Sequence, residues 1–228
     1  MPEEKVEFEG HFPPPMAILD AIKEFEDVEN GGYGAAPKFP QFSFYLWAVE
    51  QMLEGMVTKE KGEHIILTLE KMLMGGVIDH ARGGIHRYAT KANWNDPHYE
   101  KMLYDQAGLL SLLAKLSLIY PSPLVYDHLI STLEYLEAEM LGDDKYFFSG
   151  QDADSEGVEG LYFNFTEEEF EGIANQAISE NQSDKEKEPI FTLDQVKTWF
   201  NITGPGLHSI SLNFDTKDEL FTLESWDL

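Results

Sequence analysis

Apolar residues recur at helical spacing through most of the chain. Met16, Leu19, Ile22 and Phe25 fall on one face of a segment predicted to be helical over 16–28, just after three prolines. The same period predicts helices over 41–56 and 61–74, and an amphipathic one over 123–141. A helix over 97–119 differs in kind: between Ala107 and Ile119 the only charge is Lys115, so this helix is predicted to be enclosed nearly all round. Two further helices are announced by capping boxes, Thr166 with Glu169 and Thr192 with Gln195, where each side chain satisfies an otherwise unpaired backbone N–H. Strand signal is confined to "KYFFSG" and "GLYFNF", which flank an acidic loop and are predicted to pair as one small hairpin.

The connections alternate between plain and elaborate. Those leading into the second, fourth and sixth helices are long and rich in Gly, aromatic and charged residues: "NGGYGAAPKFPQ", "GGVIDHARGGIHRYATKANWNDPH" and "GDDKYFFSGQDADSEGVEGLYFNFT". Those leading into the third and fifth are "VTKEKGE" and "YPSP". In an array of sequentially antiparallel helices alternate connections fall at one end, so the three elaborate loops are predicted to share a rim. Long structured loops gathered in one place form a candidate site. The openings "GGYG" and "GGIHRY" also suggest a repeat with a period of roughly fifty residues.

Charge and composition narrow the functions. Forty-two acidic against sixteen basic residues give a net charge of -26, which repels phosphate backbones and anionic bilayers, so neither nucleic acid nor a membrane is expected as a partner. The absence of cysteine excludes thiolate and dithiol chemistry from this sequence. The first residues show neither a leader nor an apolar span, which predicts a cytoplasmic protein. No Gly-rich phosphate loop or HExxH motif stands out, and no cofactor or metal is predicted. "DADSEGVEG" copies the first half of a calcium loop but has Phe163 where a bidentate Glu is needed.

Candidate chemistry concentrates in the elaborate loops. On a helix starting at Pro97, His98, Lys101 and Asp105 would share one face and Glu100 and Tyr104 an adjoining one, at the mouth of an enclosed helix where acid/base groups acquire shifted pKa values. His86, His98 and Glu100 are the candidate acid/base groups, with Asp152 and Asp154 as candidate paired carboxylates of the kind glycoside hydrolysis uses. Tyr33, Tyr88, Trp94 and Tyr104 offer flat faces for sugar rings, and Arg87, Lys101 and Asp105 complete the expected binding groups. The only two arginines, Arg82 and Arg87, are predicted to clamp the acidic loop "DADSE" through bidentate contacts that lysine cannot copy. The opposing reading is that these groups form a salt-bridge network that holds loops to helices in a non-catalytic interaction or scaffold module.

"GGYGAAPKFPQ", "GGIHRYATKANWNDPHYEKMLYDQA" and "SGQDADSEGVEGLYFNFTEEE" resemble, in order, three signature segments of the YyaL-like family, that of spermatogenesis-associated protein 20. The resemblance spans roughly 31–173 and implies a mainly α fold: a partial α/α toroid, similar to six-hairpin glycosidases and N-acylglucosamine 2-epimerase. It implies a carbohydrate-active enzyme, a sugar hydrolase or epimerase, with a small-molecule sugar as ligand. Members typically carry a thioredoxin-like domain before the toroid, which this sequence lacks. Tyr99 and Gln106 stand where Phe and Asn are expected, and "NITGPGLHSISLNF" replaces a Gly-Asn-aromatic segment. Seven helices form little more than half of a six-hairpin ring. The expected organisation is therefore a partial toroid over 1–203 and a tail or lid over 204–228, with a homodimer or partner chain completing the ring.

Overall fold

The computed structural model describes residues 13–181, 191–204 and 206–213. Helix α1, Pro15–Ile22, runs into a 3-10 turn, Lys23–Phe25, and is followed by α2, Phe42–Leu53, and α3, Lys59–Met74. After a long loop containing β1, Tyr88–Ala89, β2, Pro97–His98, and β3, Lys101–Met102, come α4, Leu103–Leu116, and α5, Pro123–Tyr135, the last continued by a π-helical turn, Leu136–Met140. The third elaborate loop holds β4, Gly150–Gln151, β5, Asp154–Ser155, β6, Val158–Glu159, and β7, Phe165–Thr166. It leads to α6, Glu167–Asn181, α7, Leu193–Trp199, and β8, Leu207–His208.

The main core is where the apolar stripes of α2 to α5 meet. Tyr45, Val49, Ile65, Leu69, Leu109, Leu113 and Val125 are all buried there, each worth roughly 1.5–3 kcal/mol of burial. A second cluster gathers Phe170, Ala174 and Ile202 with Leu193, Val196 and Ile210 around α6 and α7. Both capping boxes are present: Thr166 N–H donates to Glu169 and Glu169 N–H to Thr166, with the same reciprocal pair at Thr192 and Gln195.

Four expectations need correction. Residues 97–102 are extended rather than helical, because β2 pairs with β1 and β3 with β4, and α4 starts only at Leu103. His98, Lys101 and Asp105 therefore do not share a helical face, nor do Glu100 and Tyr104. On an extended segment alternate side chains share a side, which instead groups His98 with Glu100 and sends Lys101 inward. Second, "KYFFSG" and "GLYFNF" do not pair with each other. Gly150–Gln151 pairs with β3 and Phe165–Thr166 with β8, while the hairpin forms inside the acidic loop, between β5 and β6. Glu156 and Gly157 at its tip have φ of 54° and 78°, the left-handed pair that a two-residue hairpin turn requires. Third, α4 is not enclosed all round: Tyr104, Ala107, Ser111 and Ala114 form an exposed stripe along it. Fourth, the arginines do not clamp "DADSE", as described below.

The described part of the tail is tied to the body. β8 pairs with β7, Leu212 N–H donates to Met74 O at the end of α3, and Asn213 N–H donates to Trp199 O. Phe214, Leu220, Phe221 and Trp226 of the expected lid lie outside the described residues.

The suspected repeat is explicit in the backbone. "DVENGG", 27–32, and "DHARGG", 79–84, close the same loop 52 positions apart (79 minus 27). Gly31 N–H donates to Asp27 O and Gly83 N–H to Asp79 O, both at 2.8 Å, while Asp27 N–H reaches Gly32 O and Asp79 N–H reaches Gly84 O, both at 3.0 Å. Each Asp carboxylate also caps its own turn, accepting from the N–H groups of Glu29 and Asn30 or of Ala81 and Arg82. Each then receives a buried lysine, Lys38 at 2.6 Å from Asp27 and Lys101 at 2.8 Å from Asp79, and the same two ammonium groups bond the carbonyls of Gly31 and Gly83. Gly83 cannot be replaced cheaply: its φ is 84°, and a β-carbon there would sit 2.1 Å from Ser131 O on α5. Gly83→Ala is expected to lower unfolding free energy by about 2–4 kcal/mol, measurable by urea denaturation, since backbone must move on both sides.

Candidate functional site

Gln106 fixes the loop that carries the candidate chemistry. Its Oε1 accepts from Ile85 N–H at 2.8 Å and its Nε2 donates to Ile85 O at 2.7 Å, so one buried side chain on α4 holds both backbone groups of a loop residue. This lays Arg87 and Tyr88 across the start of α4. A cavity of about 650 Å3 opens there, between the first turns of α2 and α4, lined by Phe39, Gln41, Arg87, Tyr104, Asp105 and Ser111 among others.

The arginine of this cavity is tied to a chain of polar groups outside its lining. Arg87 Nη1 donates to Glu100 Oε2 at 2.6 Å, and Arg87 N–H to Glu100 O at 2.9 Å. His98 Nε2 lies 3.8 Å from the same carboxylate, while its Nδ1 donates to Glu159 Oε1 at 2.7 Å. The rings form a continuous row: Phe39 packs on Tyr88 with centroids 4.7 Å apart, and Tyr88 stacks on His98 at 5.2 Å. Tyr104, 59% exposed, stands over the opening.

Asp105 is the unusual group. Its Oδ2 is buried without a hydrogen-bond partner, and burial pushes its pKa up to about 6, with Arg87 pulling down and Glu100 pushing up. A carboxyl that changes charge near neutrality suits general acid–base work. Because the folded pKa is raised, the proton's contribution to stability is fully present below about pH 4 and lost as pH rises through 6. Asp105→Asn is expected to stabilise the protein at pH 8 by about 1–3 kcal/mol and to flatten its stability between pH 4 and 6, as read by thermal unfolding across pH.

The structure brings Arg87, Tyr88, His98, Glu100, Tyr104 and Asp105 together and leaves the other expected residues elsewhere. Trp94 is buried, its Nε1 donating to Asn30 O, so its ring ties two loops together and is no open platform. Lys101 is fully buried, with Nζ on Asp79 and Gly83 O and 4.1 Å above the Tyr135 ring. His86 is buried against Tyr99 and Phe163 with Nδ1 donating to Tyr99 O, and burial first, then nearby Lys101, pushes its pKa down to about 3. Asp152 and Asp154 are exposed on the β5 arm, where Asp152 Oδ1 accepts from Asp154 N–H. Tyr33 lies in the wall of a neighbouring cavity. Arg87 is occupied by Glu100, and Arg82 Cζ lies over the Tyr162 ring at 4.2 Å with Nη1 buried and unpartnered; the contact from the acidic hairpin is Glu159 with His98 instead. Among the described residues no three His, Asp or Glu side chains converge to hold a metal ion. No helix among them is long and apolar enough to cross a membrane.

Sequence reasoning passed over Asp27, Lys38, Phe39, Gln41 and Asp79. Asp27 and Asp79 were legible as the doubled D-x-x-x-G-G; Lys38, Phe39 and Gln41 carry no such signal.

Comparison with known proteins follows from this geometry. The human spermatogenesis-associated protein 20 is 30% identical over 211 residues, 87% of this chain, and the mouse protein is 32% identical over 169 residues, 69% of this chain. The chain is a homologue of spermatogenesis-associated protein 20. It spans about a quarter of that relative's length, 26% of the human protein and, for an uncharacterized protein of Caenorhabditis elegans at 29% identity, 27%. No family model matches the sequence. The chain superposes on the structure of cellobiose 2-epimerase from Bacillus thermoamylovorans with a TM-score of 0.50 and 15% identity, over 75% of this chain and 48% of that one. At that identity the likeness concerns fold alone, and the fold is that of the mainly helical α/α toroid.

Proposed function

We propose that the cavity between α2 and α4 is a sugar site with Asp105 as its acid/base group, placing the chain among carbohydrate-active toroids of the sugar hydrolase or epimerase class. The observation that carries this is the buried, unpartnered Asp105 carboxyl with its raised pKa in a cavity of about 650 Å3 flanked by flat rings. Tyr104, Tyr88 and Phe39 supply apolar faces for C–H groups of a sugar. Arg87 and Glu100 supply donors and acceptors for hydroxyls. Glu100, outside the lining, is a second carboxylate that holds Arg87 from behind and lies near His98. The toroid neighbour being a cellobiose 2-epimerase makes sugars the first class to try.

Calorimetric titration with mono- and disaccharides and N-acylated sugars tests the reading. Millimolar or tighter binding that weakens at least tenfold in Arg87→Met is expected; no binding by a folded sample at millimolar ligand contradicts it.

The network reading is favoured by a different set of residues. Lys38, Trp94, Lys101 and Gln106 are buried with their polar atoms satisfied. We assign these the role of holding the rim in place, and the open group around Asp105 the chemistry.

A further inference from the structure

The cavity at Asp105 has a neighbour at Phe39. A second cavity of about 450 Å3 lies on the other side of that ring, and Phe39 and Gln41 line both. Their characters differ. The first carries Arg87, Tyr104 and Asp105. The second is walled by Phe25, Tyr33, Phe44, Tyr45 and Trp94, with Tyr33 edge-on to Phe44 at 5.4 Å. Its one cation, Lys38, is buried and held by Asp27 and Gly31 O, which leaves no free charge for an anion.

Gln41 marks the junction. Its φ and ψ of 41° and 42° are left-handed, a region that residues with a β-carbon other than Asn and Asp rarely occupy. Such strain is retained where surrounding structure enforces it, and it concentrates at ligand sites. The exposed Gln41 carboxamide lines both cavities.

We propose that the two cavities form one bipartite site for a glycoside with an aromatic or other flat apolar aglycone. The sugar lies against Arg87, Tyr104 and Asp105, the aglycone among Phe25, Tyr33 and Phe44, and the Gln41 carboxamide bonds the oxygen-rich junction between them. This rests on the sugar reading above. An aglycone ring enclosed by aromatic side chains leaves water on nearly its whole surface, so it adds affinity that a methyl group does not.

The test is calorimetric titration of the full chain with methyl and 4-nitrophenyl glycosides of glucose, mannose and N-acetylglucosamine, and with 4-nitrophenol alone. For at least one sugar the 4-nitrophenyl glycoside is expected to bind about tenfold or more tightly than its methyl counterpart. Phe25→Ser, at a residue 57% exposed and absent from the Asp105 cavity, is expected to bring that ratio close to one without changing the methyl glycoside's affinity. Gln41→Gly, which relaxes the backbone, is expected to weaken both series. Equal affinity for methyl and 4-nitrophenyl glycosides would overturn the bipartite site and leave the sugar reading standing. Binding of 4-nitrophenol with no glycoside bound would overturn the sugar reading and the bipartite assignment with it, as would binding of nothing. A 4-nitrophenyl advantage that survives Phe25→Ser would overturn the placement of the aglycone.

Discussion

Lys101→Met is expected to lower the unfolding free energy by about 3–5 kcal/mol, a large share of what a domain of this size possesses. The loss comes from what is left behind. Asp79 would remain buried with no cation, having been held below the usual carboxylate range, despite burial, by Lys101 first and then by the N–H groups of its own turn. Lys101 is itself pushed down by burial and supported by Asp79, so each charge depends on the other. The double variant Lys101→Met, Asp79→Asn removes both charges while Asn still accepts from Ala81 and Arg82. It is expected to recover at least about 1 kcal/mol of the loss. Urea denaturation of the parent, the single and the double variant measures both. A single variant within 1 kcal/mol of the parent would show that the pair is not the tie described here.

Acid should unfold the protein early. His86 and His128 are buried and neutral, with pKa values lowered to about 3, in both cases chiefly by burial. His128 faces His80, whose pKa burial lowers to about 4, and its Nε2 has no partner. A histidine with a depressed folded pKa binds fewer protons folded than unfolded between its unfolded pKa, about 6.5, and its folded one. Each such histidine therefore costs about 1.4 kcal/mol for every pH unit below that value until its folded pKa is reached. Asp105 acts in the opposite sense between pH 6 and 4 and offsets about one of them. The net expectation is a loss of at least about 3 kcal/mol between pH 6.5 and 4.5, reduced by about half in His128→Leu once the variant's own baseline is subtracted. Stability that stays level across this window would contradict the buried, neutral state of these rings.

Much of the fold was readable because it follows from periodicity and local chemistry. The stripes on 41–56 and 61–74 locate α2 and α3, the stripe on 16–28 locates α1 but overruns it, since α1 ends at Ile22 and a 3-10 turn at Phe25, and the two capping boxes locate the starts of α6 and α7. The errors share a cause. Pro97 fits the first position of a helix and equally the start of a strand, and nothing local says that Lys101 must turn inward to reach Asp79, which lies 22 positions earlier. The hairpin was misplaced because "KYFFSG" and "GLYFNF" have strand composition, yet their partners, β3 and β8, are distant in sequence. The Glu156-Gly157 turn was the better local signal. Of the candidate residues, Arg87, Tyr104 and Asp105 line one cavity, with Glu100, His98 and Tyr88 in contact behind Arg87. Residue type could not separate them from Trp94, His86 and Lys101, because burial is a tertiary property that a loop sequence does not state.

A carboxyl-carbon NMR titration of Asp105, with and without saturating sugar, tests its acid/base role most directly. The expected result is a midpoint near pH 6 in the free protein and a displaced midpoint and chemical shift when sugar is bound. A midpoint in the ordinary aspartate range near 4, unmoved by sugar, would contradict the assignment of this cavity as an acid/base sugar site.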